Sequence, residues 1–422
     1  MQERRSSLLG ESLFSEELPS GAKFYAVPKK GYVEKQAMIT VNYGSADNKY
    51  TLDGEEREIP QGVAHFLEHK MFEDDETPVL EKFTSLGANV NAFTTYTHTT
   101  YYFNCIDRFD ECLEALAGAV QKPHFTDENV EKEKGIIAQE IRMYADSPSW
   151  RVYMNLHKAL YHNGPIRDNI AGSTTSIERI DKGLLFECYN AFYHPSNMSA
   201  VVVGDIDPSK VSERLSWMMK PRAADNVVRI RDREPDEANM SYIEEKMAVS
   251  MPCFQFGFKE SDFSCDMATK IASSKILADL LAGESSPLFG ELYDEGLLDE
   301  SFSRDYLCGS FYGTTIFSGA SRNPIEFRKR LLAEIERVNN KGIDPIRFAA
   351  IKRKHIGRYV RSFNMVSHIA MNQVDLCSKG LGIMDLMDAF ESVSIEDVQG
   401  RLKLLTPERS ALSIVSPLER AV

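Results

Sequence analysis

The sequence predicts an α+β fold in two similar halves, each a mainly antiparallel sheet covered by helices. Three observations carry that expectation. A chain of 422 residues is long enough for two domains of about two hundred residues each. In the first half, β-rich stretches come in adjacent pairs between groups of helical stretches, an order that favours antiparallel pairing. The second half then echoes that order, as an internal duplication would. The expected boundaries are 1–219 and 241–422. Residues 220–240 read as the linker, being rich in Arg, Asp, Glu and Pro and poor in apolar side chains.

Residues 23–27 and 36–43 are β-rich and read as strands around a turn at 28–32. Residues 48–61 read as a charged loop. Pro60 and Gly62 open a helix anchored by Val63, Phe66 and Leu67. A second helix over 78–86 stops at Gly87, which suits the left-handed position after a helix end. Residues 88–95 and 99–104 form a strand pair, and 113–119 begin a helix that pauses at Pro123. Asp127 is the expected N-cap of the next helix, over 129–144. Helices at 149–162 and 176–192, a strand at 197–204 and a helix at 208–219 complete this half. The second half shows strands at 242–249 and 252–258, a helix at 267–281 and another opened by Ser286 and ended by Gly296. Strands within 301–318, helices near 323–340, 345–360 and 364–378, and a strand at 411–415 follow.

Composition narrows the function. Apolar residues at 43% support sizeable cores, and a net charge of −14 argues against a nucleic-acid surface. The seven cysteines (Cys105, Cys112, Cys188, Cys253, Cys265, Cys308, Cys377) are scattered and contain no Cys-x-x-Cys pair. That pattern fits reduced thiols in a cytoplasm. No apolar signal core and no membrane-length apolar run is seen, so a cytoplasmic protein without membrane contact is expected.

The chemistry concentrates in His65-Phe66-Leu67-Glu68-His69. His65 and His69 are four apart on a helix, so both rings leave one face and can hold one zinc ion. Glu68 projects near the same face, and a carboxylate beside a bound metal can take a proton from water. The order is the reverse of the His-Glu-x-x-His zinc helix. Catalytic zinc needs a third protein ligand. Glu133 and Glu140 are two turns apart on the helix over 129–144, so both line one face; spacing alone leaves the choice between them open. Glu131 lies on another face. His98, His157, His162 and His194 lack ligand-spaced partners and read as structural or surface histidines.

These features resemble the pitrilysin/insulysin/mitochondrial processing peptidase family of zinc peptidases. So do Gly87-Ala88-Asn89-Val90-Asn91-Ala92-Phe93-Thr94 and Phe192-Tyr193-His194-Pro195-Ser196-Asn197-Met198 leading into Val201-Val202-Val203-Gly204-Asp205. The likeness covers most of residues 15–220 and is closest to the short bacterial processing-peptidase-like branch. It implies the metallohydrolase fold of mitochondrial processing peptidase, with zinc on His65, His69 and Glu140. Glu68 is then the base, and Glu133 a supporting carboxylate in the catalytic set. Asn89, Asn91, Ala92, Phe93 and Thr94 would bind substrate as an added strand. The implied activity is endopeptidase cleavage of extended or unfolded peptides inside a clamshell of two chains. The partner would be a related chain without zinc, or a second copy.

In that family the half opposite the zinc supplies an Arg and a Tyr seven residues apart. Here Tyr293 and Glu300 occupy those positions, while Arg304 and Tyr306 have the wrong spacing. The alternatives are a non-catalytic assembly subunit and a maturation peptidase for one small peptide. The intact set His65, Glu68, His69 and Glu140 favours an enzyme.

Overall fold

The computed structural model describes residues 1–73, 78–222, 226–261 and 266–418. Cys265 lies outside them. The chain divides into two compact units, and each draws on non-contiguous segments.

The first unit comprises Met1–Ile141, Asn169–Arg231 and Val360–Met384. Its seven-stranded sheet has the spatial order Gln2–Arg5, Ser12–Glu17, Lys23–Pro28, Met198–Gly204, Lys35–Val41, Thr99–Cys105, Asn89–Thr94. Only the pairing of Lys23–Pro28 with Met198–Gly204 is parallel. Met198–Gly204 is buried along its whole length, as a central strand covered on both faces should be. Helices Val63–Lys70, Phe109–Gln121 and Val366–Cys377 all pack on this sheet.

Residues 48–61 are not a loop. Lys49–Leu52 and Glu55–Glu58 form a hairpin that Val227–Arg229 extends to three strands. Asp53 (φ 50°) and Gly54 (φ 89°) make its two-residue turn. Left-handed backbone at both turn positions is what Asp-Gly supplies to a tight hairpin. The expected linker therefore contains a strand.

The second unit comprises Arg142–Asp168, Asp232–Tyr359 and Asp385–Val422. Its five-stranded sheet runs Tyr242–Met247, Ser410–Pro417, Cys253–Glu260, Gly313–Ala320, Ser303–Cys308. The first pair is parallel and the rest antiparallel. Numbered by order along the chain, the five strands from Lys23–Pro28 to Asn89–Thr94 in the first sheet and the five of the second both read first, last, second, fourth, third. The duplication suspected from helix order is thus present in sheet topology.

A single division at 220–240 misses two exchanges. Helix Pro148–Leu160 packs on strands Cys253–Glu260 and Ser410–Pro417, while helix Val366–Cys377 packs on Met198–Gly204 and Lys35–Val41. Gly257 admits the first of these helices. A Cβ there would lie 3.0 Å from Leu156 Cδ2 and 3.2 Å from Leu160 Cδ1. Among the described residues no helix is long and apolar enough to cross a membrane.

Candidate functional site

The helix Val63–Lys70 is held from its inner side, where Val63, Ala64, Phe66 and Leu67 are buried. Its start demands glycine. Gly62 is left-handed (φ 94°), and a Cβ on it would meet the Ala171 carbonyl at 2.6 Å. The helix Asp127–Ala145 faces it, buried through Val130 and Ile137. Thr126, not Asp127, caps that helix. The Asn129 amide donates to Thr126 Oγ1 (3.1 Å) while Asn129 Oδ1 accepts from the Thr126 amide (2.9 Å). Asp127 instead pairs with Lys182.

Between the two helices the side chains take distinct stations. The His65 and His69 rings lie side by side, tilted 59° to each other with centroids 4.6 Å apart. Glu140 reaches both rings, with Oε1 3.6 Å from His65 Nε2 and Oε2 3.4 Å from His69 Nε2. Glu133 takes the opposite edge of His69, its Oε1 2.9 Å from Nδ1. One nitrogen from each histidine and one Glu140 oxygen lie within 4.8 Å of one another, a set that could hold a metal ion. Glu133 stands behind His69 rather than in that set.

The electrostatics of the cluster favour a cation. Burial would lower the His69 pKa, yet Glu133 and Glu140 push it up to about 10, with Glu68 adding to the pull. The neighbouring His65 and His69 rings hold the Glu140 carboxyl well below the usual carboxylate range. Two imidazoles and a carboxylate suit zinc in both number and type.

Two contacts here are not visible in sequence spacing. Lys70 is fully buried, and its Nζ donates to the Asn129 carbonyl (3.2 Å) and pairs with Glu73. It therefore ties the histidine helix to the first turn of the glutamate helix. Glu68 Oε2 accepts a hydrogen bond of 2.6 Å from Thr94 Oγ1. Thr94 was expected only as a substrate-facing residue.

The rest of the expected substrate strand lies at the sheet edge. Val90 and Ala92 pack on the core, so the alternation of a strand turns Asn89, Asn91 and Phe93 to the other face. Asn91 Oδ1 accepts from the Ala92 amide at 2.8 Å. His98, His157 and His194 are buried and His162 partly so, and none joins a ligand cluster among the described residues. In the second unit Tyr293 and Glu300 are exposed. Arg304 pairs with Asp279 and Glu284, and Tyr306 donates to Glu260 Oε2 at 2.7 Å.

Comparison with known proteins places the chain. Residues 38–174 match the family described as Insulinase (Peptidase family M16), and residues 179–354 match the Peptidase M16 inactive domain. The uncharacterized zinc protease YmfH of Bacillus subtilis is 34% identical over 399 residues, which cover 93% of each chain. This chain belongs to peptidase family M16. Another member from Bacillus subtilis, the uncharacterized zinc protease YmxG, is 25% identical over 86% of this chain and 91% of its own. An M16-like protein from Alicyclobacillus acidocaldarius superposes with a TM-score of 0.93 at 33% identity, over 97% of this chain and 99% of that one. Pitrilysin superposes at 0.78 and 16% identity, over 98% of this chain but 46% of its own. The two-halved M16 fold is therefore shared, and this chain matches about half of pitrilysin.

Proposed function

We propose that this M16 chain is a zinc-dependent endopeptidase acting on extended or unfolded peptides. His65, His69 and Glu140 hold the metal, Glu68 is the general base, and Glu133 orients His69. The observation that carries this reading is the convergence of both histidines on the Glu140 carboxylate, with Glu133 on the far edge of His69. A carboxylate on the outer nitrogen of a ligating histidine fixes its tautomer and ring orientation. Zinc bound there would polarise a peptide carbonyl and make water easier to deprotonate. Glu68 takes the proton from the attacking water and returns it to the leaving amine.

The strand Asn89–Thr94 has no strand partner on its outer side among the described residues. An extended peptide can therefore pair with its backbone, Asn91 releasing the Ala92 amide as it docks. This mode grips main chain and tolerates varied side chains.

The activity needs a second chain. A Glu at the position of Glu300 would repel a developing oxyanion that Arg or Tyr would stabilise. Arg304 and Tyr306 are already committed to Asp279, Glu284 and Glu260. A second copy would supply neither group, so a related chain carrying them, with or without zinc, completes a heterodimer. Buried thiols such as Cys105, Cys112 and Cys188 suit a cytoplasmic setting.

The test is zinc content together with cleavage of an unfolded peptide, with and without a chelator. Glu68→Gln should keep its zinc and lose about a hundredfold or more in turnover. A fully loaded variant with near wild-type turnover would sink the assignment. The chain alone should cleave poorly and gain activity when the partner is added. Efficient turnover by the isolated chain would remove the partner from the proposal.

A further inference from the structure

Thr94 is the last residue of the edge strand, paired across the sheet with Thr99. The strand's alternation puts its side chain on the same face as Val90 and Ala92, the face against which helix Val63–Lys70 packs. Its place is fixed by the turn that follows. The Thr95 amide donates to the His98 carbonyl (2.8 Å), and Thr95 Oγ1 accepts from the amides of Thr97 (3.2 Å) and His98 (3.0 Å). The hydroxyl therefore sits on rigid backbone at the point where strand meets helix.

The direction of its hydrogen bond follows from proton counting. Thr99 Oγ1 is 3.3 Å from Thr94 Oγ1, but Thr99 gives its own proton to the Tyr43 carbonyl at 2.9 Å. Thr99 can then only accept from Thr94. The Thr94 proton has a better acceptor in Glu68 Oε2, closer at 2.6 Å. With one lone pair of Oε2 engaged by Thr94, Oε1 is the freer oxygen to take a proton from water. Behind this contact Thr99, Tyr101 and Tyr193 are buried, the two phenol oxygens 2.8 Å apart. Both phenols lie within electrostatic reach of the partly exposed Glu68.

We infer that Thr94 is a positioning residue for Glu68: its hydroxyl fixes which carboxylate oxygen faces the reacting water. The inference rests on the reading of Glu68 as the base. It also ties two parts of the proposed mechanism together. The strand that would pair with the peptide ends in the hydroxyl that aims the base, so a peptide in register on Asn89–Thr94 is in register with Glu68 without any loop closing.

The experiment compares wild type, Thr94→Val and Thr94→Ser as full chains, assayed with the partner where the chain alone turns over too slowly. Crystal structures of the metal-free proteins should show one Glu68 position in wild type and Thr94→Ser, and a rotated or disordered carboxylate in Thr94→Val. In the zinc-loaded proteins kcat should fall about tenfold or more for Thr94→Val with KM within about twofold, since misaimed groups cost rate rather than binding. Thr94→Ser should stay within about threefold of wild type, because it keeps the donor. Adding Thr94→Val to Glu68→Gln should cost nothing more, as residues acting through one another are non-additive. A Thr94→Val structure with Glu68 in its wild-type position overturns the inference whatever the kinetics. Failure of wild type to hydrolyse any peptide would instead sink the reading of Glu68, and the crystal structures would still decide whether Thr94 holds its carboxylate.

Discussion

Glu133 and Glu140 differ by seven residues and by the edge of the His69 ring each one meets, and that difference sets the size of two effects. Glu133→Ala removes the 2.9 Å hydrogen bond on His69 Nδ1 without touching the nitrogen turned to the metal set. A hydrogen bond to a charged group contributes about 1.5–3 kcal/mol, and about 1.4 kcal/mol is a factor of ten. Zinc affinity should therefore fall by about tenfold to a hundredfold. Glu133→Gln keeps an oxygen acceptor but no charge, and neutral bonds are about half as strong, so its loss should be near the lower end. Glu140→Ala removes the oxygens shared by both rings and should cost more than either. Competition against a zinc-binding dye at neutral pH measures all three on one scale. A larger loss at Glu133 than at Glu140 would reverse the two roles and refute the reasoning.

Two further perturbations test the frame around the site. Gly62→Ala places a Cβ 2.6 Å from the Ala171 carbonyl at φ 94°, and should destabilise by about 1–3 kcal/mol in urea unfolding while weakening zinc binding; an unchanged unfolding midpoint would count against the strain. Burial pushes His157 from its ordinary 6.5 down to about 4, so the folded state binds fewer protons than the unfolded chain. Its contribution is complete above the unfolded value and is lost as pH falls toward 4, on the order of 3 kcal/mol in all. Urea midpoints taken across that window should fall in wild type and fall less in His157→Phe; parallel curves would remove His157 from the acid limb. His98, pushed down to about 4 by burial, acts in the same direction.

Much of the site is written in local spacing. The four-residue interval of His65 and His69 and the seven-residue interval of Glu133 and Glu140 are helical arithmetic, and both pairs line single faces in the structure. Spacing could not rank the two glutamates, because the distinction is which edge of the His69 ring each one meets. The Thr94 contact with Glu68 and the Lys70 clamp on Asn129 were invisible for a related reason. Each joins residues 26 or 59 positions apart, and nothing in either segment marks its partner. The hairpin within residues 48–61 is a different case. Asp53-Gly54 was the available signal, but Glu55, Glu56, Arg57 and Glu58 flank it, and a strand with largely exposed residues lacks the apolar alternation that marks one. The exchanged helices are legible as helices in the sequence. Which sheet each would cover depends on tertiary packing that periodicity does not record.

That exchange changes what the duplication means for the chain as an object. Severing the peptide within residues 220–240 would yield one fragment that carries helix Pro148–Leu160 but not the strands beneath it, and another that carries Val366–Cys377 with the same deficit. Each fragment would bare a sheet face and a helix stripe at once, both apolar. Each unit is thus completed by a helix from the other half of the sequence, and neither buries its core within one contiguous half of the chain. The smallest length of this polypeptide able to bury both cores includes both traded helices, and with them the His65–His69 helix of one unit and the five-stranded sheet of the other.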